Sequence, residues 1–293
     1  MIRLLKRNQI DEEKYNQCIS NSLQSRISAY SWYLDIVADD WSVLILNDYE
    51  AVMPLPIREK YKITYVYPPF WLLELGVFSR VENCSIDDFI TALFKNFNFV
   101  ELRLNLDNQT DTFDSKKHLK SMQLLSLSNS YKSISSNYNR NRKRELKKAE
   151  SEGLIEKWND SPDKLIALFK KNVGERVAKL KEKEYQTLLK LLEICIEKNV
   201  GEVLSIYDKD ENLVGSTFFL KHQHTVTNLV STTDFNNRNN GVNTFFNDRA
   251  IYKYQKEFDV FHFGGSSLEN IANYYKSFGA ETKNYFLLKK RLV

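Results

Sequence analysis

The chain has 293 residues, 42% apolar and 27% charged, with a net charge of +4. That composition is globular and excludes a disordered chain, and the length favours two domains. The net charge is too small to mark a nucleic-acid binder by itself, so the placement of charge matters more than its sum. The three cysteines, Cys18, Cys84 and Cys195, are odd in number and far apart. They read as free thiols of a reducing compartment and match no zinc spacing, so no metal is expected. Residues 1–7 lack the apolar core of a signal peptide, and no run approaches the ~18 apolar residues of a spanning helix. A cytoplasmic protein without stable membrane insertion is expected.

Residues 2–5 read as a short edge strand. Asp11 is a candidate N-cap for a helix over 12–21. The aromatic cluster Tyr30-Ser31-Trp32-Tyr33-Leu34-Asp35 reads as a short helix. Residues 41–46 and 51–57 form two strands around the turn Asn47-Asp48-Tyr49-Glu50. A further strand over 63–67 ends at Pro68-Pro69, because proline donates no ladder hydrogen bond. The loop through Phe70, Trp71 and Leu75-Gly76-Val77 is unusually apolar, fitting either a domain interface or a cleft wall. Ser85 opens a helix to about Phe94, and residues 99–104 return as a strand. These elements make one α/β unit with a mostly antiparallel sheet.

Residues 108–120 are polar and read as a loop, and 122–127 as a strand. Six cations then fall between Arg140 and Lys148 with a single acid, on a segment with helical propensity that Gly153 ends. Leu146 and Ala149 mark its inner face. The cations are either a solvated face or a polyanion contact, with Arg140, Arg142, Lys143 and Arg144 as candidates. A strand over 154–158 precedes a helix that starts at Ser161-Pro162. Residues 173–183 give no clear pattern. An amphipathic helix over 184–198 is expected to stop at Gly201. Strands follow over 202–207, 213–221 and 225–232, with His222 and His224 as surface residues at a hairpin turn. A helix capped by Asn243 or Thr244 comes next, then a strand over 258–263, the corner Gly264-Gly265-Ser266-Ser267, a helix over 268–277 and a last strand over 285–290.

Two segments carry candidate chemistry. Arg238, Asn239, Asn240, Gly241, Val242 and Asn243 immediately precede a helix. A helix N-terminus presents unpaired N–H groups and partial positive charge, and with a glycine that lets the backbone approach closely it suits a phosphate. Ala272-Asn273-Tyr274-Tyr275-Lys276-Ser277-Phe278-Gly279 presents a phenol on a late helix. The alternative for the first segment is an ordinary Asn/Gly loop.

The first segment resembles the pyrophosphate loop of the GNAT acyltransferase superfamily, Arg/Gln-x-x-Gly-x-Gly/Ala, with Asn243 departing at the last small position. The second resembles that superfamily's late helix, and Ala280 stands where an aromatic is usual. Phe261-His262-Phe263-Gly264-Gly265-Ser266, the helix through Ile271-Ala272, Phe278-Gly279-Ala280 and the upstream basic helix ending in Gly153 look like FemAB/FemX-type tandem GNAT proteins. Tyr30 to Asp35, Ala51-Val52-Met53-Pro54-Leu55 and Leu75-Gly76-Val77-Phe78-Ser79 resemble uncharacterised GNAT-like proteins of Bacteroidetes-type bacteria.

The resemblance implies an α/β (α+β) fold of two tandem GNAT-like domains, each a mixed, mostly antiparallel sheet flanked by helices. Their expected bounds are 1–125, degenerate as a catalyst, and 126–293, holding the donor. It implies N-acyl or aminoacyl transfer from acyl-CoA or aminoacyl-tRNA to an amine on a small molecule or a cell-wall precursor, with tRNA as a possible partner. Tyr275 would be the general acid, and residues 238–243 would hold the donor. Backbone N–H groups near residues 230–232 would bind the oxyanion if that strand splays from its neighbour. Asp234, His262 and Glu269 are the base candidates. Tyr30, Trp32 and Phe70 are candidates for the wall of a substrate cleft. The rival expectation is a non-catalytic binding protein that kept the fold and an anion site.

Overall fold

The computed structural model describes residues 1–174, 180–265 and 268–291, with the side chains of 237–239 outside the description. The chain divides into two compact units. Unit 1 comprises Met1–Ser121 together with Asn284–Val293, and unit 2 comprises Met122–Lys283. Running residues 126–293 together, as the sequence suggests, leaves the last strand in the second domain. Its backbone pairs instead with a strand of unit 1, which only the tertiary register reveals.

Unit 1 begins with β1 (Ile2–Lys6), α1 (Glu12–Asn21), α2 (Ser31–Val37), β2 (Asp40–Leu46), β3 (Ala51–Lys60), β4 (Ile63–Val66), β5 (Phe78–Ser79), α3 (Ile86–Asn96) and β6 (Val100–Arg103). The Asp11 carboxylate accepts from the Lys14 N–H, which is why α1 starts at Glu12. Ser85 does the same for α3. The sheet order is β1-β2-β3-β4-β6, followed by the chain's last strand, β13 (Glu281–Lys290). All pairs are antiparallel except β4 with β6. Pro54 and Pro56 are tolerated inside β3 because its second edge is paired only by β5 at Ala51–Val52 and by β4 from Ile57 onward.

β7 (Lys117–Ser126) starts inside the stretch expected to be a loop. Unit 2 continues with α4 (Tyr131–Ser136), α5 (Arg140–Ser151), β8 (Ile155–Trp158), α6 (Pro162–Asn172), α7 (Glu182–Glu197), β9 (Gly201–Tyr207), β10 (Leu213–His222), β11 (Thr225–Thr233), α8 (Val242–Tyr254), β12 (Val260–Gly265) and α9 (Glu269–Lys276). Its sheet runs β7-β12-β11-β10-β9-β8, again with one parallel pair, β11 with β12. Each unit is therefore a mixed, mostly antiparallel sheet flanked by helices. The core of unit 2 on the α8 and α9 face is built from Phe219, Phe246, Tyr254, Phe261, Phe263 and Phe278.

Two local expectations are corrected. Gly201 does not stop α7; Asn199 takes the left-handed turn at φ 56°. Gly201 opens β9, and a side chain there would overlap the Phe218 ring. α8 is capped by Gly241 at φ 81° rather than by Asn243 or Thr244, which are already helical. The corner after β12 has Ser266 and Ser267 outside the described residues.

Candidate functional site

The site is built where β11 and β12 part. The two strands pair in parallel only at Thr225–Val260, Val226–Phe261 and Thr227–His262. Beyond these pairs β11 continues to Thr233 and β12 to Gly265 with no further ladder pairs among the described residues, which leaves a gap in the pairing. Two irregularities create it. In β11 a bulge at Leu229 breaks the register with β10, where Phe218 faces Val230 and Phe219 faces Asn228. In β12 an extra residue falls between His262 and Gly265 against β7. Gly264 sits there at φ 82°, and a Cβ on it would lie 2.8 Å from the Asn228 carbonyl oxygen.

The Asp234 N–H donates to Val214 O at 2.9 Å. The antiparallel ladder alternates, so Thr232 and Val230 also bond toward β10, whereas the N–H and C=O groups of Ser231 and Thr233 turn away from it, toward the gap. The condition placed on the oxyanion donors, that β11 part from its neighbour, is met to the extent that the ladder pairing of β11 with β12 stops at Thr227. Within the residues nominated as oxyanion donors, the Ser231 N–H is the one on that side.

Tyr275 lies on α9, its ring stacked on Phe263 at 4.7 Å between centroids. Phe263 belongs to the splayed end of β12. Burial, with Tyr274 alongside, pushes the Tyr275 phenol well above its ordinary range, so it is protonated at neutral pH. Among the described residues no hydrogen bond is made by its hydroxyl.

The start of α8 is arranged differently from a loop open to phosphate. A Cβ on Gly241 would overlap the main-chain oxygen of Glu145 on α5. Arg142, 7% exposed, donates to Thr244 Oγ1 at 2.7 Å and to Glu145 Oε1 at 2.9 Å. Thr244 donates in turn to Glu145 Oε2, and the Arg142 guanidinium lies 4.4 Å from the centre of the Tyr274 ring. Thr244 is in the first turn of α8, so a carboxylate of the chain itself sits at that positive helix end. Asn240 Oδ1 accepts from the Val242 N–H at 3.0 Å. The side chains of Arg238 and Asn239 lie outside the described residues. The Asn243 carbonyl accepts from Asn247 Nδ2 at 2.8 Å.

Of the four basic candidates on α5, Arg140, Lys143 and Arg144 are exposed and Arg142 is buried. Arg142, Glu145, Leu146 and Ala149 follow helical spacing and form the face turned to α8, which takes Arg142 out of reach of a polyanion. Tyr30, Trp32 and Phe70 belong to unit 1: Trp32 packs on Tyr33, and Phe70 on Trp71.

Among the base candidates, His262 Nδ1 accepts from the Gly264 N–H at 2.9 Å and its Nε2 faces Met122 sulfur at 3.1 Å, a buried structural role. Asp234 caps the turn over 235–240 through the Asn236 N–H. Glu269 is an exposed first-turn acid of α9. Sequence reading gave Glu145 no role and Thr244 only that of a helix cap, because the two lie far apart in the chain and meet only in the fold. It also missed Gln123, although a glutamine sharing the strand face of Leu125 and Leu127 was a visible signal. Among the described residues no helix is long and apolar enough to cross a membrane, and no cluster of His, Cys, Asp and Glu is placed to hold a metal.

No protein-family model and no curated protein matches the chain. Solved structures do. The chain superposes on FemX with a TM-score of 0.68 at 10% identity, covering 98% of this chain and 97% of that one. A conserved protein of unknown function from Bacteroides thetaiotaomicron gives 0.62 at 10% identity, covering 99% and 100%. A tandem GNAT protein from the clavulanic acid biosynthesis pathway gives 0.57 at 10% identity, covering 99% and 98%. Together with the two mixed sheets and the parting of β11 from β12, these likenesses show that the chain has the tandem GNAT fold of which FemX is an example.

Proposed function

We propose that the chain transfers an acyl or aminoacyl group to an amine, at the gap between β11 and β12 in unit 2. The observation that carries this reading is the splayed parallel pair with Tyr275 stacked against its open end. A neutral amine attacks the carbonyl carbon and a C–N bond forms. The Ser231 N–H, turned toward the gap, donates to the developing oxyanion. As the C–O or C–S bond breaks, the Tyr275 phenol protonates the leaving group, and the proton shed by the amine restores the phenol. Burial suits Tyr275 to the acid role by keeping it protonated.

Two features favour an aminoacyl-tRNA donor over acyl-CoA. The Glu145 carboxylate already occupies the start of α8, and a second anion there meets like charge. α5 exposes Arg140, Lys143 and Arg144 to a polyanion. The acceptor is an amine on a small molecule or a cell-wall precursor.

The test is transfer of a radiolabelled aminoacyl group from a charged tRNA pool to amine acceptors, with acetyl-CoA as the competing donor. Tyr275→Phe is expected to lower the rate roughly 10²–10⁴-fold with donor binding intact. Transfer unaffected by that change removes Tyr275 from the mechanism. Donor binding without any transfer favours the non-catalytic reading.

A further inference from the structure

We propose that Gln123 anchors an amide of the ligand beside Tyr275, the amide coming from a peptide-bearing substrate or from the pantetheine arm of an acyl-CoA. The inference rests on the reading of unit 2 as an acyl-transfer site and narrows what that site holds.

Gln123 is 0% exposed, and among the described residues neither its Oε1 nor its Nε2 has a hydrogen-bond partner. A buried polar group left unpaired is destabilising, and here both halves of one carboxamide are unpaired. β7 is regular from Met122 to Ser126, because the extra residue of this pairing lies in β12. Gln123 therefore shares the sheet face of Leu125 and Leu127, which pack in the core with Phe261 and Phe263. On that face the residue across the ladder is Phe263, since Leu124 pairs His262 and Met122 pairs Gly265. Phe263 is the ring on which Tyr275 stacks. Gln123 thus lies across the ladder from the residue whose ring Tyr275 stacks on, and Tyr275 is partly exposed.

The chemistry of the group narrows its partner. A carboxamide offers a donor and an acceptor in one plane. An ammonium satisfies only Oε1 and a carboxylate only Nε2. The N–H and C=O of one extended peptide residue lie on the same side and meet both. A ligand amide one residue from the reacting carbonyl does this while Tyr275 attends the leaving group.

The experiment is calorimetric titration of the full chain with two probes, the blocked tripeptide N-acetyl-Ala-Lys-Ala-amide and acetyl-CoA, in wild type, Gln123→Leu and Gln123→Met. Thermal unfolding of each variant is followed in parallel. The variants are expected to keep or raise the melting temperature, because two unpaired groups are removed, and to weaken one probe at least tenfold. The probe that responds names the source of the amide. Equal binding of both probes by wild type and variants overturns the proposal, and so does failure of both probes to bind wild type. Tyr275→Phe, which tests transfer, is expected to leave these affinities unchanged, so loss of the catalytic reading and loss of the anchor are separate results.

Discussion

Adding one methyl group at Gly241 is expected to destabilise unit 2 by about 2–5 kcal/mol. Two effects contribute. At φ 81° an L-residue strains the left-handed backbone by about 1–2 kcal/mol. The new Cβ also overlaps the Glu145 main-chain oxygen, with the carbonyl carbon 3.2 Å away. That neighbour is helix backbone, not a flexible side-chain end, so about 1–3 kcal/mol of overpacking follows. Gly153→Ala is the control. Its φ is 67°, but the nearest atom to the added Cβ is Lys209 Cβ at 3.8 Å, so only the backbone strain applies. Urea unfolding of both variants, followed by intrinsic fluorescence, reads the difference. If Gly241→Ala loses no more stability than Gly153→Ala, the close approach of α5 is not what requires the glycine. If donor binding is lost at the same time, the glycine serves ligand approach instead.

Two further expectations concern charge. Reversing Arg140 and Arg144 to glutamate is expected to weaken tRNA binding and to flatten the slope of log affinity against log salt by roughly 0.7–0.9 for each phosphate no longer neutralised; filter binding across a salt series checks this, and an unchanged slope returns α5 to a solvated face. Asp160 gives a pH signature. Burial pushes its carboxyl up, and hydrogen bonds from Tyr207, the Ser161 N–H and Lys164 more than offset this, holding it at about 2 against an ordinary 3.8. A carboxyl depressed by folding stabilises above its unfolded value, and the contribution is lost as pH falls from about 4 toward 2. Asp160→Asn is expected to remove roughly 2 kcal/mol of that dependence, measured as urea midpoints between pH 5 and 2.5; parallel curves for both proteins refute it.

Local signals were well written in the sequence. Asp11, Ser85 and Ser161-Pro162 mark helix starts because a side-chain oxygen two or three residues ahead of an N–H is a local event. The strand-turn-strand settings were legible too, whereas a splay near residue 230 entered only as a condition on the oxyanion donor. What was not legible depends on contacts between distant segments. Gly241 reads as a ligand glycine in one dimension. In three it faces α5, and Arg142, one of six cations in a row, proves to be the inward one. The reading of residues 238–243 as a donor loop does not enter the proposed mechanism, because Glu145 already occupies the start of α8, and the roles of Tyr275 and the Ser231 N–H are proposals.

The return of β13 to unit 1 has a consequence for synthesis. The edge of β6 that β13 covers belongs to the first unit, yet the strand that covers it is translated after all of unit 2. At ordinary ribosome speeds that edge waits roughly ten seconds or more for its partner. During the wait it presents unpaired backbone groups, the kind of surface on which chaperones act and on which neighbouring nascent chains mispair. Unit 1 is thus completed after unit 2, and its maturation is tied to synthesis of β13 rather than to that of its own earlier residues.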